Sequence, residues 1–267
     1  MASDSRLTGG QCFDQGPKVF PLPRSDAILG FGGDTYYAYP LVTHLQTSIG
    51  AYPRSSDRRF PLGHAIRHAS RVFAQSYGLI HDFPAGADRP IDGDAQFLFG
   101  GYSWHSSRFR IWQMRLDRQQ KAFPVRAVSS RFYFIGSPLV VKEALEQTNR
   151  LLASRSRTQA TMDMEPFEVL RDIVKGGRHR DVGGAPQVAK VFRHMNTQFY
   201  ATVWPCDDGS VMPHVYGRPL QNYESISWPA FDPTTLDFCA VTPGAASQNP
   251  SRVSASADPG ISAEEPA

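Results

Sequence analysis

The chain has 267 residues, 41% hydrophobic and 12% aromatic, enough to bury a sizeable core in one large domain with or without a tail. Its 28 Lys and Arg stand against 25 Asp and Glu, a formal +3 scattered along the sequence, which describes a solvated surface and excludes nucleic acid as an expected partner. Three well-separated cysteines without a CxxC pair, a polar N-terminus without a signal peptide, and no apolar run of about 18 residues lead us to expect a cytoplasmic protein without a membrane partner.

In chain order, DAILGF (residues 26–31) reads as a short apolar strand closed by Gly32 and Gly33. A helix follows, with Leu41, Leu45 and Ile49 on one face and Pro40 in its first turn, where a missing N–H costs little. Leu62, Ala65, Ile66, Ala69, Val72, Phe73 and Tyr77 form the apolar stripe of a second helix. AQFLFGGYS, RFRIWQMRL and RFYFIGS read as three strands. SPLVVKEALEQTNRLL predicts a third helix with Ser137 as N-cap and Pro138 at its first position, and EPFEVLRDIVKG a fourth. QVAKVFRHM, FYATVWP, the turn CDDGS and VMPHVYG complete a strand-rich end. Residues 1–240 therefore predict one globular domain, and the Ala/Ser/Pro/Gly-rich segment 241–267, without an aromatic residue, a disordered tail. Strands alternating with paired helices predict a layered α+β sandwich rather than a doubly wound parallel sheet.

The familiar catalytic motifs fail. GFGGD places Thr35 where a dinucleotide loop needs its third glycine. HAIRH sets His64 and His68 one turn apart, but Ala65 stands where HExxH has glutamate, so a metal is not expected. RHRD at 178–181 has no other kinase signature around it, and an α+β hydrolase with a His/Asp site finds no convincing spacing.

What remains is an ordered constellation: SDSR with Asp4 and Arg6, Lys18 in GPKVF, then ILGFGGDT, FLFGGYS, and FIGS entering a helix. Singly, these are an ordinary surface ion pair, a solvated lysine and an N-cap. In this order they resemble the proteasome β-subunit and its HslV-like bacterial relatives, N-terminal nucleophile hydrolases. The resemblance spans about residues 2–240 in element order. The chain departs from that pattern at Pro138, where the family has a second glycine after the serine. DVGGAPQVAKVFRHMN, read as a glycine turn feeding a segment with Gln187 and His194 exposed, and GRPLQNYE, with Arg218, Tyr223 and Glu224, lie outside the common pattern and suggest a divergent bacterial-type branch.

The resemblance implies a four-layer αββα sandwich and a threonine-type peptidase or amidohydrolase with no metal or organic cofactor. It also implies assembly as a homo-oligomer acting on a peptide or protein substrate, with an ATPase partner left open. In the family an N-terminal hydroxyl or thiol attacks the amide carbonyl while its own α-amine serves as base. A lysine beside the amine keeps it neutral, and an aspartate pairs with that lysine. Asp4, Lys18 and Ser137 match these supporting positions, and Asp181 a further aspartate of the amine network. The nucleophile has no match: a hairpin of roughly 12–17 residues is expected ahead of Ala2. Removal of Met1 would expose Ala2, and Ser3 abuts Asp4 at the strand end. The chain as written is therefore expected to be inactive, as a truncated record or a pseudoenzyme, the first being the more economical. The alternative is a non-catalytic assembly or partner-binding module on the same fold. Without the hairpin, the strand after Lys18 and those near Gly100 are expected to expose an edge and an apolar face, favouring association.

Overall fold

A computed structural model describes residues 1–8, 11–79 and 95–239. The expected tail lies outside these residues. Five antiparallel strands form one sheet, in the order β4 (Val19–Pro21), β5 (Ala27–Gly33), β6 (Ala95–Ser103), β7 (Arg108–Arg115) and β8 (Val125–Val128). A second sheet runs β1 (Ala2–Ser3), β9 (Gln187–Val191), β10 (Thr197–Pro205), β11 (Val211–Val215) and β12 (Arg218–Pro219). The short β13 (Ala230–Phe231) joins β10 in parallel and carries β14 (Phe238–Cys239). A two-residue ladder between β2 (Leu7–Thr8) and β3 (Cys12–Phe13) stands apart. The helices are α1 (Thr35–Gly50), the single turn α2 (Pro53–Ser56), α3 (Leu62–Gly78), α4 (Pro138–Ser154) and α5 (Glu165–Gly176). The molecule is a mixed α+β fold.

Alternation along β6 sends Ala95, Phe97 and Phe99 to one buried face. There they meet Leu41, Leu45 and Ile49 of α1 and Leu62, Ile66 and Phe73 of α3, with the Phe73 and Phe97 rings 4.4 Å apart. On the other face of this sheet Val19 and Ile28 pack against Ala189 and Phe199 of the second sheet. Met1 joins that cluster: a Cβ at Gly30 would lie 2.9 Å from its Sδ, and one at Gly100 3.5 Å from its Cε. The second sheet turns Trp204 toward Ala144 of α4 and Val169 and Ile173 of α5. Each fully buried Phe or Leu contributes about 1.5–3 kcal/mol, so these clusters carry much of the folding energy.

Several sequence expectations change. Asp34 caps α1 by accepting from Tyr36 N at 2.8 Å, so the helix starts early and Pro40 lies inside it rather than in its first turn. RFYFIGS is not a strand: VRAV takes the ladder position beside β7, while Ser130 and Arg131 bond Gln159 and Ala160 and Tyr133 reaches β7 only through the Gln113 side chain. Ser137 holds the N-cap position of α4 without a side-chain capping bond. β4 is a sheet edge as expected, but Gly100 lies in central β6, covered by Met1.

Candidate functional site

Ser3 pairs with Gln187 at the end of β1, and the chain leaves the sheet at Asp4. Both carboxylate oxygens of Asp4 accept from Lys18 Nζ at 2.9 Å, and each of the two side chains is 12% exposed. Asp4 Oδ2 also accepts from the backbone N–H groups of Arg6 at 3.0 Å and Gly183 at 3.3 Å. A nearly buried charge pair is stable only when its remaining acceptor sites are filled, and these backbone donors fill them. The sequence-predicted Asp4 and Lys18 are thus brought together.

The neighbouring side chains fix the segment that carries Asp4. Arg6 forks onto Asp14 at 2.6 and 2.7 Å and reaches Val182 O at 3.4 Å. That forked bond holds the Asp14 carboxyl below its ordinary value. Buried Ser5 donates from its N–H to Gly183 O at 3.0 Å and from its hydroxyl to Asp14 O at 2.7 Å, and its carbonyl accepts from Gly16 N at 2.8 Å. The glycines of DVGG permit this closeness: a Cβ at Gly183 would overlap the Arg6 guanidinium. Gly184, at φ +71°, would drive one into Asp14 O and Ser5 Oγ.

Gln187 is 4% exposed, not exposed as its polarity suggested. Its Oε1 accepts from Lys18 N at 2.9 Å and Val19 N at 3.3 Å, and its Nε2 donates to Gly16 O at 2.7 Å. One side chain of β9 thereby sets the backbone from which Lys18 extends. Sequence reasoning missed this clamp, because nothing local distinguishes an inward Gln from a solvated one.

Lys18 O accepts from Phe31 N at 3.1 Å, and the next residue, Gly32, abuts Gly136, with a Cβ there 3.2 Å from Gly136 Cα. The turn bearing Ser137 therefore rests on β5 one residue beyond Lys18's cross-strand partner. The Ser137 and Asp181 side chains take part in no hydrogen bond or ion pair among the described residues. Asp181 lies two residues before the Gly183 N–H that binds Asp4. On the adjoining edge the Met1 ammonium donates to Ala189 O at 2.8 Å, and burial, then Lys190, lowers this amine to about 6.

Other candidates are less complete. His68 shares a 2.9 Å hydrogen bond with Ser48, and His64 lies against Phe60. Among the described residues no group of three or more His, Cys, Asp or Glu is placed to hold a metal ion. Cys206 Sγ stands 3.9 Å from Nε2 of His214, whose charged form is disfavoured by burial, which weakens His214 as a partner for a thiolate. A cavity of about 410 Å³ opens against β7 and β8, and its lining includes none of Asp4, Lys18, Ser137 or Asp181. Arg218 forks onto Glu224 at 2.6 and 2.7 Å, which makes GRPLQNYE a self-tied loop with Tyr223 exposed. No protein-family model matches the chain, and no curated protein matches it. Among the described residues no helix is long and apolar enough to cross a membrane.

Proposed function

We propose that the chain is a proteasome β-like N-terminal nucleophile hydrolase domain, of the threonine-type peptidase or amidohydrolase class. The observation that carries this reading is the Lys18 ammonium on both oxygens of Asp4. The pair as a whole is neutral, but Asp4 fixes the Lys18 ammonium in a nearly dry place. An ammonium that lies nearer to an N-terminal amine than its counter-ion does disfavours the protonated form of that amine. A neutral amine can take the proton of a neighbouring hydroxyl as that oxygen adds to an amide carbonyl. It returns the proton to the departing nitrogen as the C–N bond breaks, and water then hydrolyses the resulting acyl-enzyme to a free carboxylic acid. Asp4 holds Lys18 in this scheme, Ser137 orients the amine from the turn against Gly32, and Asp181 completes the network. Apolar clusters between α1/α3 and the first sheet, between the two sheets, and between the second sheet and α4/α5 support a four-layer αββα reading.

A second reading, a non-catalytic assembly or partner-binding module on the same fold, draws on the Met1 side chain, which fills the space over Gly30 and Gly100. Intact mass and N-terminal sequencing of the protein from its native source separate the two. An N-terminal Thr, Ser or Cys, acylated by an amide-mimicking electrophile and losing that labelling in Lys18→Ala, supports the hydrolase. A terminus at Met1 or Ala2 that resists labelling rejects it in favour of the module.

A further inference from the structure

The cationic side chains, which the overall charge led us to expect as a scattered surface with no nucleic-acid partner, are unevenly distributed once counted by segment. Between residues 35 and 131, thirteen Lys and Arg stand against six Asp, a formal +7 in a chain whose total is +3. Four of those six Asp fall in 80–94, outside the described residues. From residue 35 to 116 every cation is arginine. Arg54, Arg67, Arg71, Arg108 and Arg110 are exposed, and none of them enters an ion pair among the described residues.

The fold places these arginines on one side. His64, Arg67 and Arg71 recur along the outer ridge of α3, three to four residues apart. Arg108 and Arg110 share one face of β7 with Trp112 and Met114, two residues apart in turn, and since Trp112 and Met114 belong to the core with α1 and α3, all four face the helix layer. Gly101, the cross-strand partner of Arg110, abuts Leu62 at the start of α3. Trp104, 42% exposed in the β6–β7 turn, donates from Nε1 to Arg58 O at 3.2 Å, joining that turn to the loop before α3. In this loop Arg54 lies over the Phe60 ring at 5.9 Å, the Phe60 and His64 rings are 6.0 Å apart, and Tyr52 is 37% exposed. This face adjoins the Ala27–Gly101 end of β5, away from the end where Lys18 meets Phe31.

We infer that this arginine and aromatic face binds single-stranded nucleic acid, independently of the Asp4–Lys18 site. Guanidinium forks suit phosphate oxygens better than ammonium groups do, and a stripe of them tracks a charged backbone. The exposed rings of Trp104 and Tyr52 offer flat surfaces on which unpaired bases stack. An acidic protein would satisfy the charge, and its carboxylates would accept the same guanidinium forks. A flexible strand, however, supplies at once a phosphate for each arginine and an unpaired base for each exposed ring, so nucleic acid is the occupant inferred and the acidic surface is the alternative the test separates.

The test is fluorescence anisotropy of the full chain with labelled oligo-dT and oligo-U of about 20 nucleotides, a length sufficient to span one such groove. Unlabelled poly-glutamate of equal charge is the competitor. Saturable binding is expected that weakens with salt, and R108A/R110A should lower the salt slope by about 1.4, roughly 0.7 for each single-strand phosphate no longer neutralised. Trp104→Ala should weaken binding about tenfold and Trp104→Phe much less, because stacking needs a ring. Arg150→Ala, on exposed α4, should leave binding unchanged, and far-ultraviolet melts confirm that all variants are folded. Absence of saturable binding at about 50 mM salt overturns the proposal. So does equal displacement by poly-glutamate together with indifference to Trp104→Ala, which would identify an acidic protein surface as the occupant.

Discussion

At the scale of the residue, Asp4 and Lys18 pose the sharpest energetic question. Each ion loses most of its water, and what compensates is their mutual attraction plus the N–H groups of Arg6 and Gly183. Truncating one partner leaves the other charge nearly buried and alone. Lys18→Met should therefore destabilise the fold by about 3 kcal/mol, whereas Asp4→Asn/Lys18→Met should cost clearly less than the two single changes together. Urea unfolding of the four forms gives the coupling energy. Strict additivity would mean that the pair does not act as a unit and would weaken the case that Lys18 is held there as a fixed charge.

At the scale of the element, the turn at 183–184 determines whether the Asp4 segment can dock. Ser5 bonds to Gly183 O on one side and to Asp14 O on the other, so the segment is sandwiched between two loops with no room for a side chain at Gly184. Gly184→Ala combines a positive φ with backbone overlap and should cost about 2 kcal/mol or more, measurable as a lower denaturation midpoint. An unaltered midpoint would mean that this turn does not lie close against Ser5. The Gly-Gly pair was visible in the sequence as a turn, but its counterpart at Asp14 was not, because close approach between segments about 170 residues apart leaves no local trace. Period and capping made α3, α4, α5, β6 and β7 legible, since their apolar faces repeat at 3.6 or 2 residues. RFYFIGS misled for the complementary reason: its aromatics alternate like a strand, yet it makes side-chain bonds, from Arg131 to Ala160 O and from Tyr133 to Gln113, and enters no backbone ladder. Asp4 and Lys18 could be singled out in the sequence by order alone, but the Gln187 clamp emerges only once β9 lies beside the loop at 16–19.

At the scale of the whole molecule, the acid limb of stability falls on the layer of α4 and α5. Burial pushes the Glu165 carboxyl up, but N–H donors at Asp163 and Glu165 and the Arg157 guanidinium outweigh it and hold the group down at about 2, against an ordinary 4.5. Glu165 is fully buried at the first turn of α5, while Arg157 and Arg155 follow the end of α4, so this carboxylate ties the two helices together. On the sheet side, the forked Arg218 bond and the Gln221 N–H bring Glu224 down to about 2 as well. For a carboxyl whose folded value is depressed, the unfolded chain binds the proton first. The stability it contributes is complete above the ordinary value and drains away as pH falls from about 4.5 toward 2. Loss of carboxylate charge over the same window leaves the arginines facing one another, which adds repulsion rather than relieving it. We therefore expect urea midpoints to fall steadily through this window, with a shallower fall in Glu165→Gln. Amide exchange in α5 should accelerate before exchange in β6, because the β6 core rests on Phe73, Phe97 and Phe99 and no carboxylate belongs to that cluster. If α5 stayed as protected as β6 down to pH of about 3, Glu165 would not be the tie between the helices.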